Sequence, residues 1–213
     1  MRNSALLRRL VCCLPLIIAS CSSSSLDELR AKAEQGDAKA QFDLGTEYDS
    51  GQDVPQDFQE AMRWYRKAAE QGNAMGQYQL GVGYHEGKGV EQNYVKAAQW
   101  LHKAANQGVR EAQFNLGWIY SNGEGVQQNM VEALKWYHKS AEQDFSDAQA
   151  VLGDLYYHGK NVQQDFVAAY QWWSILAAKE VSVDKLTALE KEMTLDQLAE
   201  AKKRVAVWRP LGQ

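Results

Sequence analysis

The sequence lacks an excess of positive charge. It contains 23 Lys and Arg residues against 27 Asp and Glu residues, and its formal net charge is −4. It also contains no Lys- or Arg-rich run of useful length. Because nucleic-acid-binding proteins use basic patches to contact phosphates, the composition argues against nucleic acid as a partner.

Cysteine and histidine, two common ligands of transition metals, are scarce. The three cysteines, Cys12, Cys13 and Cys21, all lie near the N-terminus, and the four histidines are scattered over the rest of the chain. A structural zinc site needs four ligands that converge on one point. We therefore expect no metal site and no cofactor.

Long apolar runs are also scarce: the apolar stretch near the N-terminus, residues 10–20 (LVCCLPLIIAS), has eleven residues. A helix needs about 20 apolar residues to cross a bilayer, so this stretch is too short for a durable membrane anchor. It follows Arg2, Arg8 and Arg9 without an intervening acid, and it ends in small residues. These features are typical of a secretory signal peptide, which we assign to residues 1–20.

The end of this segment, residues 18–21 (IASC), resembles the lipobox of bacterial lipoproteins. The resemblance implies cleavage before Cys21 and attachment of a diacylglycerol to its sulfur. It also implies an outer-membrane location, because Ser22 stands where inner-membrane lipoproteins carry Asp. We expect the protein to face the periplasm. Residues 21–25 would then form a lipidated, Ser-rich tether. The alternative is an unlipidated periplasmic protein.

The remaining sequence is dominated by a repeat with a period of 36 residues. Self-similarity at this period indicates a repeat architecture. In the first copy Ala40, Leu44 and Tyr48 share one helical face, and residues 61–69 carry a second apolar stripe. Each copy therefore predicts two helices. The positions that recur in all four copies are, in the first copy, Leu44, Gly45, Tyr48, Gly51, Val54, Ala61 and Trp64.

Particular residues of the repeat predict how its helices begin and pack. Gly45 recurs in mid-helix, where it costs about 1 kcal/mol of helix propensity relative to Ala, so we expect the paired helix to approach closely there. His102 and His138 are equivalent to Arg66, which predicts that they lie on the outer face of the second helix. Short polar side chains accept hydrogen bonds from the free backbone amides in the first turn of a helix. The N-caps predicted for the second helices are Asp57, Asn93, Asn129 and Asp165.

The third copy, residues 112–143 (AQFNLGWIYSNGEGVQQNMVEALKWYHKSAEQ), resembles the Sel1-like repeat, a relative of the tetratricopeptide repeat. The resemblance covers residues 26–180, as a half repeat followed by four full units. It implies an all-α fold, an α/α solenoid of four 36-residue helical hairpins. In such a solenoid each hairpin contacts mainly its neighbours.

The period is lost in residues 181–213, which predict two short helices, the second capped by Thr194. Because a solenoid must cover its last apolar face, we assign this segment as the C-terminal cap. Ser182 and Lys185 match S-x-x-K, the nucleophile motif of penicillin-binding enzymes, which leaves a β-lactam-binding or hydrolysing relative as one alternative. The accompanying S-D-N and K-T-G motifs are absent from the sequence, and we expect that the protein is not an enzyme.

The resemblance to tetratricopeptide-like solenoids implies that the first helix of each hairpin lines a concave surface. Trp118 is the only one of seven Trp residues at a position of these helices that points away from the core. An exposed Trp in a groove is typical of a binding hot spot, and the alternative is that Trp118 packs on a neighbouring first helix. The candidates for partner binding are Met75, Gln79, Val82, Glu86, Asn115, Trp118, Asn122 and Asp154.

Together these features predict a non-catalytic, lipid-anchored envelope protein that binds another protein through its concave surface, as a scaffold or adaptor. An alternative is an immunity protein that neutralises a periplasmic toxic effector such as a phospholipase. We expect one or more protein partners in the bacterial envelope and contact with the membrane through the N-terminal lipid. We expect no nucleic-acid partner and no small-molecule substrate.

Overall fold

The structure, a computed structural model, describes residues 25–178 and 183–210. These residues form eleven helices and no strand. The predicted signal peptide, Cys21 and Ser182 lie outside the described residues. The helices are α1 (residues 25–34), α2 (Ala38–Ser50), α3 (Phe58–Glu70), α4 (Ala74–Glu86), α5 (Tyr94–Asn106), α6 (Arg110–Asn122), α7 (Met130–Glu142), α8 (Ser146–His158), α9 (Phe166–Ala177), α10 (Val183–Glu192) and α11 (Leu195–Val207).

The order of these helices confirms the predicted all-α solenoid of helical hairpins. Helices α2 to α9 alternate as first and second helices of the 36-residue repeat, and α1 supplies the half repeat before them. The chain divides into two compact units, of which the first ends at Gln92 and the second begins at Asn93. The first unit holds α1 to α4, and the second holds α5 to α11.

The second helices begin where the sequence predicts, and the predicted N-caps are confirmed. The carboxylate of Asp57 accepts hydrogen bonds from the backbone amides of Gln59 and Glu60 at 2.9 and 3.0 Å. These bonds satisfy amides that have no partner within the helix itself. The equivalent caps are Asn93, Asn129 and Asp165, which accept from the amides of Lys96, Glu132 and Ala168.

In the first unit, the mid-helix glycine allows the close helix pairing that the sequence predicts. A Cβ atom at Gly45 would lie 2.7 Å from Cδ1 of the Tyr65 ring, which is closer than real Cβ contacts come. The buried side chains of Leu44 and Trp64 belong to one core cluster, and Leu29 of α1 packs against it. Helices α1, α2 and α3 therefore share a core.

The second unit repeats this arrangement and adds a larger aromatic core. A Cβ atom at Gly117 would lie 2.7 Å from Cδ1 of Tyr137, whose side chain is buried. Tyr137, Leu152 and Trp172 belong to one buried cluster, against which Phe114 packs. This cluster draws on α7, α8 and α9, so neighbouring hairpins of this unit are joined by continuous packing.

His138 occupies a more enclosed position than the sequence predicts. Its Nε2 atom lies 2.8 Å from the hydroxyl oxygen of Tyr156, and its ring centroid lies 5.5 Å from that of Trp172. The outer-face prediction is therefore wrong for His138, because the following hairpin packs against this side of α7. Arg66 makes the equivalent contact in the first unit, donating to the hydroxyl of Tyr84 at 2.9 Å.

The enclosure of His138 predicts that this side chain destabilises the fold at acidic pH. Burial lowers the pKa of His138 from its ordinary value, because the charged imidazolium loses water. The folded state therefore binds this proton less readily than the unfolded state, and stability falls as the pH drops below about 6.5. Urea unfolding of the wild type and of His138→Gln, which cannot titrate, should show a stability difference that changes between pH 7.5 and 5.0. A difference that stays constant over this range would contradict the prediction.

The C-terminal helices cover α9 in the second unit, as a solenoid cap should. Leu189 of α10 and Ala201 of α11 are buried in one cluster with Tyr170 and Trp173 of α9. The predicted cap of the last helix is confirmed, because Thr194 forms a capping box with Gln197. The cap therefore buries apolar side chains of α9 that would otherwise face water.

Candidate partner-binding surface

In the first unit, the candidate residues follow the outward face of α4. Met75 is 39% exposed, Glu86 is exposed, and Gln79 and Val82 are half-buried. Gln79, Val82 and Glu86 also line a cavity of about 40 Å³, which is too small for a ligand larger than one or two water molecules. This face of α4 is therefore a shallow surface with one exposed apolar side chain.

In the second unit, the outward face of α6 carries the exposed Trp118, with 48% of its surface accessible. The hydroxyl of Ser121 and the side-chain amide of Asn122 donate to the backbone carbonyl of Trp118 at 2.9 and 3.0 Å. These bonds fix the last turn of α6. Asn115, one turn before Trp118, is half-buried on the same face. The indole is thus flanked by amide side chains on a rigid helix.

Trp118 differs from the repeat-position tryptophans, which have packing partners. Trp64 and Trp136 are 5% and 6% exposed, so most of their indole surface is removed from water. A lysine one turn later also covers each ring in the first three copies, which is a favourable cation–π arrangement. The ammonium groups of Lys67, Lys103 and Lys139 lie 3.9, 3.8 and 4.2 Å from the ring centroids of Trp64, Trp100 and Trp136. No ring or cation contact of this kind is found for Trp118 within the described residues.

Asp154, the last candidate, already has partners in the second unit. Its Oδ1 accepts hydrogen bonds from Nε1 of Trp173 at 3.2 Å and from Nζ of Lys185 at 2.8 Å. The Lys185 ammonium also lies 5.0 Å from the centroid of the Trp173 ring. Asp154 therefore joins α8 to the C-terminal cap through Lys185. The sequence pattern does not reveal this role, because Lys185 lies in a segment outside the repeat.

The candidates thus fall into two sets, one in each unit. The first set consists of Met75, Gln79, Val82 and Glu86 of α4, and the second consists of Asn115, Trp118 and Asn122 of α6 and Asp154 of α8. Within residues 25–178 and 183–210, no three His, Cys, Asp or Glu side chains are grouped so that they could hold a metal ion. None of the helices in the described part of the chain has the length and apolar character needed to span a membrane.

Stacked two-helix units, glycine contacts that recur between the copies and a helical cap define a solenoid of the tetratricopeptide-related class. The chain belongs to the Sel1 repeat family, whose model matches residues 38–73, 74–109, 110–145 and 146–180. Proteins built from Sel1 repeats mediate protein–protein interactions.

Comparison with known proteins gives the same fold. The crystal structure of c5321, a protective antigen of uropathogenic Escherichia coli strains, matches with a TM-score of 0.75 and 37% identity over 85% of this chain and 40% of that one. A Sel1 repeat protein from Oxalobacter formigenes matches with a TM-score of 0.66 and 30% identity over 80% of this chain and 73% of that one. The secretory immunoglobulin A-binding protein EsiB of E. coli is 46% identical over 44 residues, 21% of this chain. The chain spans only 9% of the length of EsiB.

Proposed function

We propose that this chain is a non-catalytic binding protein of the bacterial envelope that holds a protein partner on the outward face of α6. The observation that carries the proposal is the exposure of Trp118, 48% of whose surface is accessible on a rigid helix. An indole supplies a large apolar contact area and one hydrogen-bond donor, and few other side chains contribute as much to binding. Asn115 and Asn122 supply polar contacts around it.

We further propose that a lipid on Cys21 holds the protein at the outer membrane, facing the periplasm. The proposal rests on the IASC sequence of residues 18–21 and on Ser22 after it. Residue 25 is already helical, so only a few residues would separate the lipid from the first helix. The binding surfaces would then be displayed close to the membrane.

Purification of partners from envelope extracts tests the binding role. The bait is the full chain, compared with Trp118→Ala and with Val131→Ala, which removes another exposed apolar side chain of the second unit. Loss of a central Trp anchor typically costs about 2 kcal/mol or more, so we expect Trp118→Ala to weaken partner binding by about thirtyfold. We expect Val131→Ala to retain the partner. Equal retention by the two variants would contradict the assignment of Trp118.

The identity of the retained protein separates the scaffold role from the immunity role. A component of an envelope complex supports the scaffold or adaptor role, whereas a secreted toxic enzyme whose activity falls on binding supports the immunity role. The β-lactam alternative requires turnover of a penicillin-like compound that disappears in Ser182→Ala. Turnover with that dependence would contradict the non-catalytic role.

A further inference from the structure

A separate cleft of about 560 Å³ lies in the second unit between α7, α9 and the end of α11. It shares no residue with either set of partner-binding candidates. Its volume falls within the range of about 300–1,000 Å³ that is usual for sites that bind small ligands. Its lining includes His138, Glu142, Trp172, Arg204, Trp208 and Arg209.

The floor of this cleft is aromatic and belongs to the packed core. Trp172 is buried in the main cluster of the unit, and Trp208 packs against the same cluster. The His138 ring lies against Trp172, with ring centroids 5.5 Å apart. These contacts hold the aromatic side chains in place, so the floor is formed before any ligand arrives.

Three charged side chains of this cleft, Glu142, Asp165 and Arg209, have no ion-pair partner among the described residues. The Asp165 carboxylate is held as the N-cap of α9, where it accepts a hydrogen bond from the backbone amide of Ala168 at 3.0 Å. Glu142 and Arg209 carry the two opposite charges that remain. The Arg209 guanidinium donates through Nη1 to the backbone carbonyls of Trp208 and Ala206, at 2.6 and 3.3 Å. Glu142, the last residue of α7, is exposed and forms no ion pair with Arg209 or with any other described residue. The other guanidinium of the cleft is neutralised, because Arg204 donates to Glu200 at 2.9 Å.

We infer that this cleft binds short peptides by their two free termini. A guanidinium is a strong donor to a carboxylate, so Arg209 would bind the C-terminal carboxylate. The Glu142 carboxylate would accept hydrogen bonds from the terminal ammonium, and an aromatic or apolar side chain would lie on Trp208. The cleft favours a peptide whose two termini are both charged. A peptide with one blocked terminus would leave either Arg209 or Glu142 without an ion-pair partner.

Isothermal titration calorimetry with defined peptides tests this inference. The probe is Ala-Phe-Ala with free termini, titrated into the full chain beside its N-acetylated and its C-amidated forms. We expect each blocked form to bind about tenfold more weakly, because it loses one charge-assisted hydrogen bond. Arg209→Gln should weaken binding of the free peptide by a similar factor and leave binding of the C-amidated peptide unchanged. Glu142→Gln should likewise weaken binding of the free peptide and leave binding of the N-acetylated peptide unchanged.

Two control variants separate this site from surface charge and from the partner-binding surface. Lys203→Gln removes a charge from an exposed position of α11 outside the cleft, and Trp118→Ala alters the proposed binding surface. Both should bind the peptide as the wild type does. The inference is overturned if the free peptide does not bind, if the blocked forms bind equally well, or if Lys203→Gln weakens binding as much as Arg209→Gln. Any of these results leaves the proposed role of Trp118 intact, since the two sites share no residue.

Discussion

Replacing Tyr137 by alanine is expected to lower the free energy of unfolding by about 3–5 kcal/mol, the usual cost of deleting a large buried aromatic side chain. Tyr137 is 2% exposed, lies against the glycine surface of α6 at Gly117, and has its ring centroid 5.6 Å from that of Phe114. The alanine variant leaves a cavity between α6 and α7. Because domains are stable by only about 5–15 kcal/mol, a large part of the stability of this region should be lost.

Tyr137→Phe is the matched control for this prediction. The hydroxyl of Tyr137 has only a long contact with the Ser121 hydroxyl, 3.4 Å between oxygens, so its removal should cost less than about 1 kcal/mol. Urea unfolding followed by circular dichroism measures both variants. A loss in Tyr137→Ala as small as that in Tyr137→Phe would mean that the ring does not fill the space between the helices.

Replacing Cys21 by serine is expected to abolish lipid attachment completely, because the serine hydroxyl does not replace the thiol as the acceptor of the diacylglycerol. Acyl chains contribute about 0.8 kcal/mol of membrane affinity for each buried CH₂ group, so the lipid would supply most of the attachment. Cells that produce the full chain in the presence of radioactive palmitate should incorporate label into the wild type and none into Cys21→Ser. The variant should also accumulate with its signal segment uncleaved.

Cys13→Ser provides the control, because this cysteine lies inside the predicted signal peptide. It should leave labelling and cleavage unchanged. Label retained in Cys21→Ser, or lost equally in Cys13→Ser, would contradict the lipobox assignment.

The fold was largely predictable because the same glycine, N-cap and core positions recur in four copies of the repeat. Gly45 and Gly117 indicate close helix pairing, and in the structure the Tyr65 and Tyr137 rings lie within 2.7 Å of the positions that a Cβ atom at these glycines would take. The N-caps follow from short polar residues at a fixed repeat position, and local hydrogen bonds decide their geometry. These features depend on contacts within one helical hairpin, which recur at a fixed spacing in every copy, so a sequence pattern can reveal them.

Features that depend on contacts between hairpins, or between a hairpin and the C-terminal cap, were not predictable in this way. The position of His138 was predicted wrongly, because its burial depends on α8 and α9 rather than on its own helix. The Asp154–Lys185 pair joins a repeat helix to the cap, where no period fixes the register. Arg209 lies beyond the last helix, and only the packing of α11 on α9 brings it to the cleft. The partner-binding role of the eight candidate residues stays a prediction.

Site-specific photocrosslinking in intact cells tests the central claim, that the outward face of α6 holds a protein partner. A photoreactive amino acid is placed in the full chain at Asn115 or Asn122, beside Trp118, and in a third strain at Val131 of α7. The proposed function predicts one covalent adduct from positions 115 and 122, none from position 131, and loss of the adduct when Trp118→Ala is combined with either probe. An adduct of equal yield from position 131, or an adduct that persists without the Trp118 indole, would contradict it.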